Sequence, residues 1–179
     1  MKKILILGAA RSGKSTLANM MAAKFGYSIV SIDAFISAFQ ENYPETGICH
    51  FSKSNHLVAP FIASYVNAFS YNHPELNFVV EGFHINLDDA VKLFTDKLDI
   101  IVLGYPRLTP QEVVQNVRKY QKPFDYTLAL SDEELLNIAT HHVTYSKNYE
   151  RECQRLNLAF YDTSYHRDEV LNKIMKNLY

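Results

Sequence analysis

The sequence predicts an α/β fold in three layers, with a five-stranded parallel β-sheet between two layers of helices. Five short apolar runs alternate with longer segments in which apolar residues recur at helical spacing. The apolar runs show no polar alternation, which is typical of strands that are covered on both faces. No Pro-, Gly- or Ser-rich linker divides the 179 residues, so we expect residues 1–179 to form one domain.

The five runs are rich in Ile, Leu, Val and Phe, and each is too short for a helix. Polar or glycine-containing segments follow each of them, as expected at the ends of strands. The predicted strands cover residues 3–7, 28–32, 77–81, 99–104 and 158–161.

Helices are predicted from apolar spacing and from cap signals. Thr109 and Ser131 each precede a glutamate by three residues, which is the capping-box pattern. Pro60 lies within an apolar stripe over 57–69, so it should kink that helix or mark its first turn. The predicted helices cover residues 15–24, 34–40, 57–69, 88–97, a segment from 109, residues 131–156 with a break near Thr140, and a last helix over 171–178.

Composition excludes several classes of protein. The formal net charge is -1 and the pI is about 6.6, so no global positive field favours nucleic acid or an anionic membrane, although a local basic groove stays open. No apolar stretch approaches the roughly 18 residues of a membrane helix. The two cysteines share no short spacing, which disfavours a zinc knuckle. We expect a cytoplasmic protein, either a monomer or a homodimer.

The strongest motif is a phosphate-binding loop over residues 8–15, which matches G-x-x-x-x-G-K-[ST] completely. It follows an apolar strand and opens a helix, so its N–H groups should surround phosphate oxygens. Lys14 should reach the β- and γ-phosphates, and the Ser15 hydroxyl should coordinate Mg²⁺. The alternative is a glycine turn capped by Ser12 or Ser15. The predicted nucleotide-binding residues are Gly8, Ala9, Ala10, Arg11, Ser12, Gly13, Lys14, Ser15 and Thr16.

Three segments together resemble the small P-loop kinases, of the adenylate, shikimate, gluconate and uridine kinase types. They are the loop near the N-terminus, Ser31-Ile32-Asp33-Ala34-Phe35 after the second strand, and Val80-Glu81-Gly82-Phe83 after the third. The resemblance implies the P-loop NTPase fold with strand order 2-3-1-4-5. It also implies a kinase that uses ATP and Mg²⁺, an acceptor-binding segment over 34–75 and a lid over 105–130.

The resemblance also implies catalytic roles for four side chains beside Lys14. Asp33 would receive the proton of the acceptor hydroxyl or hold Mg²⁺ through water, although it could simply cap a helix. Glu81 would bind Mg²⁺ or an acceptor hydroxyl, unless it only accepts backbone hydrogen bonds. Arg107 and Arg118 would close over the transferring phosphate, or they belong to a solvated cationic face. Ser15, Asp33 and Glu81 form the predicted metal site.

The acceptor is expected to be a small molecule, namely a nucleoside, a nucleotide or another hydroxylated metabolite. Phe35, Phe39, Phe51 and Phe61 could stack on a base, although core packing explains most of them equally well. The second hypothesis is a nucleotide-binding ATPase or regulatory protein without a small acceptor. An Asn-Lys-x-Asp motif is absent from the sequence, which counts against Ras-type GTPases.

Overall fold

The computed structural model describes residues 1–50, 56–123 and 125–178. Five strands and seven α-helices alternate along these residues. The strands are β1 (Lys3–Gly8), β2 (Ser28–Ser31), β3 (Phe78–Gly82), β4 (Asp99–Gly104) and β5 (Ala159–Asp162). The helices are α1 (Lys14–Phe25), α2 (Ile32–Asn42), α3 (Val58–Asn72), α4 (Leu87–Phe94), α5 (Pro110–Tyr120), α6 (Asp132–Leu156) and α7 (Arg167–Asn177). Each predicted strand is confirmed to within two residues at either end.

The five strands form one parallel sheet in the order β2-β3-β1-β4-β5, as expected. β1 is central, with β3 on one side and β4 on the other. The register pairs Ile6 with Glu81 and Gly8 with Leu103. The carboxyl ends of all five strands therefore meet at one edge of the sheet, where the predicted site residues follow β1, β2, β3 and β4.

Both faces of the sheet are covered, and neighbouring residues of a strand point into different cores. In β1, Leu5 and Leu7 belong to a core built with α2, α3, α4 and α6. Ile4 and Ile6 belong to a second core, built with α1 and α7. This arrangement explains the unbroken apolar character of the strands, because each residue is buried whichever face it occupies.

The helix boundaries correct two predictions. β2 ends at Ser31 and α2 begins at Ile32, with Ser31 as its N-cap, so Asp33 lies in the first turn of α2 rather than at the end of the strand. The extension of a predicted strand to residue 32 was wrong because Ile32 is apolar but buried as part of a helix. Asp33 is also not the cap of a helix that starts at Ala34.

The longest helix, α6, runs unbroken through Thr140, so the predicted break is wrong. The Thr140 hydroxyl donates to the carbonyl oxygen of Leu136, four residues earlier in the same helix, at 2.8 Å. Pro60 is the third residue of α3 and lies in its first turn, one of the two expected outcomes. Across the described ranges, no helix combines the length and apolar character needed to cross a membrane.

Candidate functional site

The phosphate loop connects β1 to α1 through two glycines with backbone conformations that other residues rarely adopt. Gly8 has φ +147°, and a Cβ atom there would lie 2.0 Å from the carbonyl oxygen of Leu103. Gly13, the N-cap of α1, has φ +104°. The first glycine is therefore required by the close approach of β4, and the second by the turn into α1.

Hydroxyl groups of the residues that directly follow β4 and β5 hold the loop by its carbonyl oxygens. The Tyr105 hydroxyl donates to the carbonyl oxygen of Ala10 at 2.7 Å. The Thr163 hydroxyl contacts the carbonyl oxygens of Ser12 and Gly104, each at 3.0 Å. Because the first N–H groups of an α-helix lack intrahelical acceptors, the start of α1 offers donors to an anion that enters the loop.

Lys14 is buried and shares its surroundings with two carboxylates. Its ammonium group donates to the carbonyl oxygen of Ala9 at 2.9 Å. Burial lowers the pKa of Lys14, while the negative charges of Glu81 and Asp33 act to raise it. One cation and two anions thus lie close together where β1, β2 and β3 end.

Ser15 and Glu81 are brought into direct contact. The Ser15 hydroxyl donates to Oε2 of Glu81 at 3.1 Å, and Glu81 is 5% exposed. A hydroxyl and a carboxylate are the hard oxygen ligands that Mg²⁺ binds, usually with several waters. This pair therefore fits the ion that the sequence motif implies.

Asp33 lies beside a buried histidine. Oδ1 of Asp33 is buried and has no hydrogen-bond partner among the residues that the structure describes. Nε2 of His84 lies 3.6 Å from this oxygen, and the His84 side chain is 4% exposed. Half of the Asp33 side-chain surface remains exposed, so the carboxylate is open to a ligand from one side.

Arg107 and Arg118, the predicted lid arginines, are paired with acids of neighbouring elements. Arg107 makes two hydrogen bonds to the carboxylate of Glu150, at 2.8 and 2.6 Å. Arg118 binds Asp132 at 2.7 Å and also donates to the carbonyl oxygen of Leu130. In this structure both guanidinium groups are held by partners outside the phosphate loop.

Arg11, within the loop, forms an ion pair with the predicted lid. It has φ +65°, which is uncommon for a residue with a Cβ. Its guanidinium lies 2.6 Å from Oδ2 of Asp125. Burial would raise the pKa of Asp125, but hydrogen bonds from Arg11 and Thr127 outweigh it and lower that pKa to about 2.

His142, a residue of α6, is a further group influenced by the charges of the loop. Burial lowers the pKa of His142 to about 4, and the positive charges of Lys14, His141 and Arg11 add to that effect. Its ring also lies 6.4 Å from that of Phe83, centre to centre. The imidazole is therefore neutral near pH 7.

The aromatic residues of the predicted acceptor segment mostly contact one another. Phe35 and Phe61 pack edge to face at 5.4 Å, and Phe39 and Phe61 do so at 4.9 Å. These contacts favour the packing role over base stacking for the three side chains. Phe51, the fourth candidate, lies outside the described residues.

Sequence reasoning assigned no role to Asp125 or His142 in this site. Each reaches it from an element far along the chain, and no local motif marks the contact. Asp125 did carry one usable signal, because Asx residues accept hydrogen bonds from the backbone two residues later, and Asp125 does so with Thr127 at 3.1 Å.

The fold is similar to three solved structures over nearly the whole length of both chains. Shikimate kinase from Bacteroides thetaiotaomicron has a TM-score of 0.62 and 12% identity, and covers 99% of this chain and 98% of its own. A gluconokinase from Sinorhizobium meliloti 1021 has a TM-score of 0.60 and 14% identity, with coverages of 99% and 95%. An unliganded sugar kinase from Janibacter sp. HTCC2649 has a TM-score of 0.61 and 15% identity, with coverages of 99% and 94%.

Sequence comparisons add nothing to this likeness. No protein-family model matches the chain, and no curated protein matches it. At identities of 12–15%, the likeness concerns the arrangement of the backbone. The chain has the three-layer fold of these small P-loop kinases.

Proposed function

We propose that this protein is an ATP-dependent kinase, which moves the γ-phosphoryl group of Mg²⁺-ATP to a small metabolite. The observation that carries the proposal is the meeting of a complete phosphate loop with two carboxylates, Asp33 and Glu81, around Lys14. The likeness in fold to a shikimate kinase and a gluconokinase supports the same class of reaction.

The donor nucleotide would bind with its phosphates at the loop. The N–H groups at the start of α1 and the ammonium group of Lys14 would bind the β- and γ-phosphate oxygens. Ser15 and Glu81 would hold Mg²⁺, which supplies charge neutralisation when bound. Arg11 would join them after release from Asp125.

Asp33 would orient the acceptor and take its proton. The acceptor oxygen bonds to the γ-phosphorus, the bond from that phosphorus to the bridging oxygen breaks, and ADP leaves. When the acceptor is a hydroxyl, its proton passes to the Asp33 carboxylate. The half-exposed position of this carboxylate is suited to an acceptor that arrives from solvent.

The acceptor class that we propose is a nucleoside or nucleotide, bound by the segment 34–75. Residues 105–130 would act as a lid, in which Arg107 and Arg118 exchange their carboxylate partners for phosphate oxygens. One observation favours a different function. Because both arginines are already paired, a nucleotide-binding protein without a small acceptor is the second candidate.

The deciding experiment measures ADP release from Mg²⁺-ATP with a panel of nucleosides, nucleoside monophosphates, sugars and hydroxy acids. A kinase gives a large rise with one class of acceptor. Lys14→Ala should lower that rate by about 10²–10³-fold, because the charge that binds the transferring group is lost. Lys24→Ala is the matched control, since Lys24 lies in the last turn of the same helix.

Asp33→Asn separates the two candidate functions. We expect it to lower transfer by about 10²–10⁴-fold while ATP still binds, because the proton acceptor is lost but the loop is intact. Full transfer by this variant would refute the role of Asp33. ADP release that no acceptor stimulates, together with tight ATP binding, would favour the nucleotide-binding protein.

A further inference from the structure

Two histidines and one carboxylate meet on the acceptor side of the phosphate loop. They are Asp33 in the first turn of α2, His50 after that helix, and His84 just after β3. One potential ligand atom from each lies within 4.8 Å of the other two. The two imidazole rings are 5.8 Å apart, centre to centre.

The placement of each ligand has a local cause. Ser37 lies one turn after Asp33 on the same face of α2, and its hydroxyl is 2.9 Å from Nε2 of His50. The backbone N–H of His50 donates to Oε1 of Gln40, further along the same helix. α2 therefore holds Asp33 and His50 close together, and His84 directly follows the end of β3.

The donor set selects a particular class of cation. Imidazole nitrogen suits Zn²⁺ and its first-row neighbours, whereas Mg²⁺ and Ca²⁺ take oxygen ligands. Two imidazoles and a carboxylate are a known ligand set for zinc that leaves one coordination position open. The buried Oδ1 of Asp33, which has no hydrogen-bond partner in the described ranges, points towards His84 and gives the cluster an unused acceptor.

The spacing allows such an ion after a small movement. Metal bonds of about 2.0–2.1 Å in a tetrahedron place ligand atoms roughly 3.3 Å apart. Oδ1 of Asp33, which is itself buried, and Nε2 of His84 are already 3.6 Å apart. His50 is exposed, so its side chain can close the remaining gap without disturbing the core.

We propose that Asp33, His50 and His84 form a binding site for a divalent transition-metal ion, with Zn²⁺ as its representative. Such an ion would occupy the carboxylate that phosphoryl transfer needs. A transition metal would therefore inhibit the enzyme while Mg²⁺ supports it, and this second consequence rests on the proposed kinase function.

The test measures metal binding to the full chain without nucleotide or acceptor. Metal-free protein is titrated with Zn²⁺ against a chromophoric chelator, in millimolar Mg²⁺, and Co²⁺ is added separately to record its visible absorption bands. We expect one ion per chain and ligand-field bands from Co²⁺. His50→Gln should weaken Zn²⁺ binding by about tenfold or more, because it removes a ligand from an exposed position where folding is unaffected.

Three variants sharpen the result. His84→Asn should weaken binding to a similar extent, with its melting temperature measured because His84 is buried. His73→Gln is the matched control, an exposed histidine at the end of α3 near the opposite edge of the sheet, and should bind Zn²⁺ as the parent does. Cys49→Ser should also bind normally, which separates the cluster from the thiol next to His50.

Unchanged Zn²⁺ affinity in His50→Gln would overturn the proposal, as would loss of binding in Cys49→Ser or displacement by Mg²⁺. None of these outcomes depends on phosphoryl transfer. Zinc binding by a protein without kinase activity would refute the proposed function and leave the metal site standing. Kinase activity without zinc binding would refute the metal site and leave the proposed function standing.

Discussion

The phosphate loop and the segment 105–130 hold their polar groups in different ways. Neutral hydroxyl donors, Tyr105 and Thr163, fix the loop by its carbonyl oxygens. In the segment 105–130, carboxylates neutralise the cations, as in the pairs of Arg107 with Glu150 and Arg118 with Asp132. Arg11 joins the two regions through Asp125.

The two regions differ in whether their polar contacts must change when an anion binds. Bonds to carbonyl oxygens do not compete with an incoming phosphate, so the loop can keep its shape when an anion binds. Ion pairs do compete, because a phosphate is an alternative partner for each guanidinium. The loop is therefore formed before any anion arrives, whereas the arginines of the segment 105–130 would have to exchange partners to bind one.

The largest expected effect comes from breaking the preformed region. Gly8→Ala should lower the free energy of unfolding by about 3–5 kcal/mol, because the added Cβ would meet the Leu103 carbonyl oxygen at 2.0 Å. Gly26→Ala is the control: this glycine also has a positive φ, of +69°, but nothing lies within 4 Å of its Cβ position. It should cost about 1 kcal/mol. Equal losses in urea unfolding would show that contact with β4 does not restrain the loop.

A smaller effect tests whether His142 is held neutral in the folded protein, by burial first and by nearby positive charges second. Burial and the charges of Lys14, His141 and Arg11 keep His142 neutral down to about pH 4, whereas an unfolded chain binds that proton below about pH 6.5. His142 therefore leaves stability intact above pH 6.5 and reduces it as the pH falls towards 4. His142→Gln should remove on the order of 2 kcal/mol of this loss, measured as unfolding free energies at pH 7 and 4.5.

The control for that experiment is His73→Gln, at an exposed position near the other edge of the sheet. It should keep the pH dependence of the parent. The same loss of stability in His142→Gln and the parent would show that folding does not lower the pKa of His142.

The smallest effect concerns the ion pair that joins the two regions. Asp125→Asn should tighten ATP binding by up to about fivefold, because Arg11 is released and a partly exposed pair contributes at most about 1 kcal/mol. The pKa of about 2 means that Asp125 is charged and the contact complete above about pH 4, and that it is lost as the pH falls towards 2. Calorimetric titration at pH 7 checks the affinity. Asp96→Asn, an equal charge change at an exposed position before β4, should have no effect on ATP affinity. Equal changes in affinity for the two variants would show that the Arg11–Asp125 pair has no specific role in ATP binding.

Sequence patterns predicted the fold and the position of the loop between β1 and α1 for a physical reason. Strand positions follow from apolar runs, and the loop follows from a motif of eight consecutive residues, so both depend on neighbours along the chain. The contact between Ser15 and Glu81 was also within reach, because β1 and β3 end at the same edge. The start of α2 was missed because Ile32 is apolar in either element.

The contacts of the segment 105–130 and of the cluster of Asp33, His50 and His84 could not be derived in this way. Arg118 pairs with Asp132 and Arg107 with Glu150, and no spacing rule connects such partners across separate elements. The approach of His50 to His84 likewise depends on how the chain after α2 folds back. Apolar periodicity indicates which face of an element is buried, but it does not indicate which charged residue of another element will contact that element.

The contact made by the Thr163 hydroxyl determines when the phosphate loop becomes restrained during synthesis. The phosphate loop leaves the ribosome well before Thr163, whose hydroxyl holds the carbonyl oxygen of Ser12 from 151 residues later. Side-chain atoms of Arg167 and Leu171 also lie next to Gly13. A nascent chain that stops before β5 carries the whole motif without these restraints. The loop is therefore fully restrained only after β5 and α7 have been synthesised and have docked.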